Sequence, residues 1–135
     1  MTFFYHDIIN YFLVFSNVSS YVFFKKALSY GSMNEAYDQL VDLFLEWNQK
    51  INLSAIRDEA GVRERHIVDS LLATEFVDFE DKRVLDIGAG GGFPTLPLAI
   101  ECPTAQITAL DSVGKKMKVV QSMADTIGLE NSRVY

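Results

Sequence analysis

The chain has 135 residues, enough for one domain and short for two. Apolar residues make up 49% and charged residues 22%, so a real core can form and the composition is not that of a disordered chain. Twelve Lys+Arg against eighteen Asp+Glu give a net charge of −6, which argues against a strongly basic, sequence-blind nucleic-acid clamp. The single cysteine, Cys102, excludes an internal disulfide and a multi-cysteine zinc site, and His6 and His66 add little to a metal case, so no metal is expected.

Ten of the seventeen aromatic residues fall within the first thirty positions. The stretch from Phe3 to Phe24 is apolar but interrupted by His6, Asp7, Asn10, Ser16, Asn17, Ser19 and Ser20. An ionised Asp is costly in a membrane span, and the only basic pair nearby, Lys25-Lys26, follows the stretch instead of opening it. Residues 1–21 therefore read as an apolar leader that packs on the domain or stays poorly ordered, with no membrane or export role expected.

A helical layer is expected over residues 22–77. A short helix around 22–29 ends near Gly31. From Asn34 to Lys50, the apolar residues Tyr37, Leu40, Val41, Phe44, Leu45 and Trp47 recur at helical spacing, with Asn34 as N-cap and Glu35 and Asp38 in the positive first turn. Asn52-Leu53-Ser54 reads as a turn. A second helix spans Asp58 to Phe76, with Val62, Ile67, Val68, Leu71 and Leu72 facing inward.

Residues 78–135 change character. After the charged link 78–82, the run Arg83-Val84-Leu85-Asp86-Ile87 is a strand, followed at once by Gly88-Ala89-Gly90-Gly91-Gly92. A helix starts at Phe93-Pro94 and stops before Pro103. Residues 105–111 form a second strand ending in Asp111; residues 114–127 form an amphipathic helix closed by Gly128; Ser132 to Tyr135 opens a third strand. This alternation is the opening of a doubly wound α/β sheet. Half a parallel sheet leaves an apolar, unpaired edge, so a fragment of a longer chain is expected.

A glycine turn between strand and helix admits a ligand close to the backbone, because no Cβ stands in the way. The dinucleotide fingerprint needs glycine at its sixth place; counting from Gly88 or from Gly90, that place holds Phe93 or Thr95. No Gly-Lys-Ser/Thr triplet supports a phosphate loop. What remains is Asp86-x-Gly88-x-Gly90-x-Gly92, with Asp111 twenty-five residues after Asp86 at the end of the neighbouring strand. A carboxylate there can accept hydrogen bonds from two ribose hydroxyls. Several alternatives stay open. The glycines can be a structural turn, Asp111 can cap the next turn, and Asp86 can orient the loop without touching ligand. Lys115, Lys116 and Lys118 can be a solvated helix face.

The Asp86-to-Gly92 pattern looks like the first motif of class I (Rossmann-like) methyltransferases, which bind S-adenosylmethionine. Further motifs narrow the likeness: Trp47-Asn48 to Ile56, His66 to Leu71, Val84 to Pro94 with Phe93-Pro94 after the glycines, Leu96 to Ile100, and Leu110-Asp111-Ser112. In this order and spacing, residues 22 to 135 closely resemble the bacterial 16S ribosomal RNA guanine-N7 methyltransferase family, also called glucose-inhibited division protein B. The resemblance implies a cytoplasmic enzyme acting on 16S ribosomal RNA or the small ribosomal subunit, with S-adenosylmethionine as cofactor. It implies a cofactor site at Gly88 and Phe93, with Asp86, Gly90, Gly92 and Asp111, in residues 78–135 as the first half of the cofactor-binding domain. Thr95 departs from the family pattern, where glycine is frequent, and the family's later strands and adenine-side Arg fall beyond Tyr135.

Guanine N7 carries its own lone pair, so no catalytic acid or base is implied. His66, beside Asp69, is expected to be a hydrogen-bonded structural residue. The cations available for RNA are Arg57, Arg63, Arg65, Lys115, Lys116 and Lys118. Two other readings stand beside this one: a non-catalytic interaction protein that hides its sheet edge by oligomerising, and a nicotinamide-type oxidoreductase, which Phe93 disfavours.

Overall fold

The computed structural model describes residues 35–135. The leader over 1–21, the helix expected around 22–29 and the Asn34 cap lie outside the described residues. Helix α1 (Glu35–Lys50) turns Tyr37, Leu40, Val41 and Phe44 inward, as the apolar spacing requires. Phe44 is fully buried, a burial worth roughly 1.5–3 kcal/mol. Leu45 and Trp47 are only half-buried, and the buried face continues instead through the polar Asn48. The Asn48 Oδ1 accepts from the N–H groups of Leu53 (2.8 Å) and Ser54 (3.0 Å), and its Nδ2 donates to the Ile56 carbonyl (2.7 Å). One satisfied amide thus holds the whole loop after α1.

The single helix expected over 58–76 is replaced by a segmented one. Asp58 caps it by accepting from the Gly61 N–H at 2.8 Å. Helix α2 (Glu59–Val62) runs into a π-helical segment (Arg63–Val68), a short α3 (Asp69–Leu71) and a 3-10 turn (Leu72–Glu75). Near the end of the π segment the His66 carbonyl takes both the Asp69 N–H and the Ser70 hydroxyl, so the backbone ladder is irregular there. Val62, Ile67, Val68 and Leu71 still bury as expected, whereas Leu72 is only half-buried.

Three parallel strands follow, β1 (Arg83–Ile87), β2 (Gln106–Leu110) and β3 (Ser132–Val134), in the order β1-β2-β3. Parallel pairing needs a crossover between strands. Helix α4 (Thr95–Glu101) supplies the first, starting two residues later than expected, and α5 (Gly114–Ile127) the second. Gly128, at φ 84°, closes α5 through its N–H to Ala124, as a left-handed C-terminal glycine should. The register sets Asp86 opposite Ala109 and Ile87 opposite Leu110, so both strands end together. Helix α1 packs on α5 and α4, which ties the helical layer to the sheet. The main core joins Leu40, Phe44, Val62, Leu71, Leu96, Val120 and Met123; a second cluster forms around Phe79, Val84, Leu98 and Ile107.

Candidate functional site

In an open parallel sheet, ligands bind beyond the carboxyl ends of the strands. Here that edge carries Asp86, the loop 88–93 and Asp111. The loop folds across to β2, since the N–H groups of Gly88 (2.8 Å) and Ala89 (3.0 Å) both donate to the Leu110 carbonyl. The Asp111 Oδ2 accepts from the Gly90 N–H at 2.9 Å, and its Oδ1 accepts from the Val113 N–H at 2.8 Å. Asp111 therefore does cap the turn after β2, and it also pins the glycine loop. Each carboxylate oxygen retains a further lone pair for a ligand hydroxyl.

Three loop glycines have positive φ, but their surroundings differ. At Gly88 (φ 82°), a Cβ would meet no atom within 4 Å, so bare backbone faces open space. At Gly92 (φ 95°), a Cβ would stand 2.8 Å from Leu96 Cδ1 and 3.2 Å from Val120 Cγ1. Gly92 is buried, and its N–H donates to the Ala89 carbonyl. Its missing side chain serves packing against α4 and α5. Gly90 lies between these cases, with its N–H committed to Asp111.

The two carboxylates sit in opposite electrostatic situations. Burial pushes the Asp86 carboxyl above its ordinary range, against the opposing effect of its hydrogen bonds with Thr95, while the Asp111 charge adds to the rise. The N–H groups of Val113 and then Gly90 hold the Asp111 carboxyl below its ordinary range. Asp86 accepts from the Thr95 hydroxyl at 2.5 Å. Its partner is thus the start of α4, and not the glycine-loop N–H groups.

Phe93 connects the loop to the helical layer. Its ring stacks on His66 (4.6 Å between centroids, 12° between planes), and Phe44 meets both rings edge-on. His66 Nε2 is 2.9 Å from the Ser54 Oγ, and burial lowers the His66 pKa. His66 is thus a hydrogen-bonded packing residue, as expected, with Ser54 as its side-chain partner. Helical spacing alone could not reveal this cluster, because its members come from four separate segments.

The six candidate cations do not form one free set. Arg57 donates to the Asn48 carbonyl (2.7 Å) and Asn52 Oδ1 (2.8 Å), and Arg63 pairs with Asp38 (2.6 Å) and Glu59 (2.9 Å). Arg65, Lys115 and Lys118 are exposed, while Lys116 is half-buried and its charge favours the Asp111 carboxylate. Sequence reasoning also missed Ile87 and Val113, which are 54% and 45% exposed beside Gly88 and Asp111. Ile87 ends β1, where an apolar residue reads as core, and Val113 lies in the turn before α5, so no sequence signal marked either. Among the described residues, no helix is long and apolar enough to cross a membrane, and no group of three His, Cys, Asp or Glu could hold a metal ion.

Comparison with known proteins places this arrangement. The family described as rRNA small subunit methyltransferase G matches residues 33–135. Ribosomal RNA small subunit methyltransferase G of Parabacteroides distasonis is 44% identical over 98 residues, 72% of this chain and 43% of that protein. The proteins of the same name from Halalkalibacterium halodurans and Bacillus licheniformis are 37% and 36% identical, over 81% and 82% of this chain and 46% and 47% of their own lengths. The chain thus spans a little under half the length of these curated relatives. The chain belongs to the rRNA small subunit methyltransferase G family.

Proposed function

We propose that the protein transfers a methyl group from S-adenosylmethionine to N7 of a guanine in 16S ribosomal RNA, acting in the cytoplasm on the RNA or the small ribosomal subunit. The observation that carries this reading is the open backbone at Gly88 beside the Asp111 carboxylate, at the shared carboxyl edge of β1 and β2. Those residues fit the cofactor. Gly88 leaves room that a Cβ would fill, and Asp111 keeps one lone pair on each oxygen for ribose hydroxyls. Phe93, half-buried at the end of the loop, is held there by its stack on His66, and Ile87 and Val113 supply apolar surface at the rim. Asp86 stands behind the loop, while Gly90 and Gly92 maintain its shape.

When bound, S-adenosylmethionine supplies an electrophilic methyl group on a sulfonium. Guanine N7 can attack with its own lone pair and sheds no proton, so the chain needs no general base. Its residues instead bind, align and exclude water, and the acidic edge suits a site that must tolerate positive charge. His66 is assigned no proton transfer, since Ser54, Phe93 and Phe44 occupy it in packing.

Titration calorimetry with S-adenosylhomocysteine and, separately, with NAD tests the cofactor. Binding of the first and none of the second is expected; the reverse overturns the reading. Methyl incorporation from labelled S-adenosylmethionine into small-subunit RNA tests the substrate.

A further inference from the structure

Thr95 is completely buried, yet it carries a hydroxyl. That hydroxyl donates to Asp86 Oδ2 at 2.5 Å, across a separation of nine positions that spans the glycine loop. The bond joins the last turn of β1 to the first turn of α4, so it closes the base of the loop. Among the described residues, no other side chain is hydrogen-bonded to Asp86. The Thr95 backbone N–H also favours the ionised Asp86 carboxylate, so Thr95 acts on it through main chain and side chain together, and the hydroxyl is the one side-chain anchor.

We propose that Thr95 is a positioning residue for the cofactor site: its buried hydroxyl fixes the Asp86 carboxylate behind the glycine loop. The proposal deepens the cofactor reading above and rests on it. A donor to the ionised form also favours that form, which matters because burial opposes it. The groups facing Asp86 are few. Asp111 at the end of β2 opposes ionisation with its own charge, and Lys116 of α5 acts on Asp111. The loop 88–93 carries no titratable side chain, and α4 carries none before Glu101 at its far end. Thr95 is therefore the group that offsets the unfavourable surroundings of Asp86.

The test uses the whole chain and three forms: wild type, Thr95→Val, which keeps the shape and removes the hydroxyl, and Thr95→Ser, which keeps the hydroxyl. The Asp86 carboxyl is followed by carbon NMR against pH without ligand, and S-adenosylhomocysteine binding is measured alongside. In Thr95→Val the Asp86 midpoint should rise by roughly one pH unit, and affinity at neutral pH should fall about tenfold, with the acid limb of binding moving upward. Thr95→Ser should restore both. An Asp86 midpoint that ignores Thr95→Val overturns the positioning role, as does a folded Thr95→Ser that behaves like Thr95→Val. If the wild type binds no S-adenosylhomocysteine, the cofactor reading falls and takes the ligand half of this inference with it. The Asp86 midpoint, measured without ligand, still decides the hydrogen-bond half separately.

Discussion

Gly88 and Gly92 are four residues apart in one loop, share a left-handed backbone, and lack side chains for opposite reasons. Around Gly88 the space is open; around Gly92 it is filled by Leu96 and Val120. Gly91 belongs with Gly92, since a Cβ there would come within 2.9 Å of Phe44. The loop thus has an outer end of open backbone, the end the proposed cofactor would use, and an inner end shaped for its own helices. A glycine-rich motif is a statement about backbone approach, and the approaching group can be a ligand or the protein itself.

Substitutions at the two ends can break this comparison. The largest functional effect is expected at the outer end, where Gly88→Val should abolish S-adenosylhomocysteine binding. Its cost to stability should stay near that of a left-handed residue with a side chain, about 1–2 kcal/mol. Calorimetry and a thermal melt on one sample check both, and retained affinity would sink the assignment. Next comes Gly92→Ala, which adds overpacking to the same backbone strain. A loss of about 2–4 kcal/mol is expected in urea denaturation. A stability change no larger than that of Gly88→Ala would erase the distinction between the ends.

A smaller effect separates the two jobs of Asp111. Asp111→Ala removes the anchors of Gly90 and Val113 together with the acceptors offered to a ribose, whereas Asp111→Asn keeps one carbonyl acceptor. Roughly tenfold weaker S-adenosylhomocysteine binding is expected for Asp111→Ala, the order usual for a hydrogen-bonded charged group. An unchanged dissociation constant would leave Asp111 as a turn cap alone.

The outer end was the more legible of the two in sequence. Strand β1 and helix α5 fall where the apolar run and Gly128 place them, and both carboxylates lie at the carboxyl edge shared by β1 and β2. Periodicity reports which residues face a core, so it found the stripe on α1 but passed over Asn48. That residue is buried because three backbone groups of the following loop need its amide. The π-helical segment was invisible for a similar reason: it is a change in backbone hydrogen bonding, which no hydrophobic pattern records. Thr95, read as a mild departure, holds Asp86, and that pairing appears only when strand and helix meet. The inner end of the loop depends on the same kind of long-range neighbour.

The last and smallest effect tests how firmly that inner end is tied to the helical layer. His66 lies against Phe93 and Phe44, and burial holds its pKa below the ordinary value of 6.5. The unfolded chain therefore binds a proton that the folded chain resists. The sign follows directly: the neutral His66 contribution is fully present above pH 6.5 and is lost as pH falls through the depressed folded value. Melting temperatures measured from pH 7.5 to 5 should decline toward acid in the wild type. In His66→Gln, which cannot titrate, the decline should be shallower. Because Ser54 faces the same ring, Ser54→Ala should leave the direction of the slope unchanged while lowering stability at every pH. Parallel slopes for wild type and His66→Gln would mean that His66 is not buried as neutral imidazole. The contact between Phe93 and the helical layer would then be looser than the packing around Gly92.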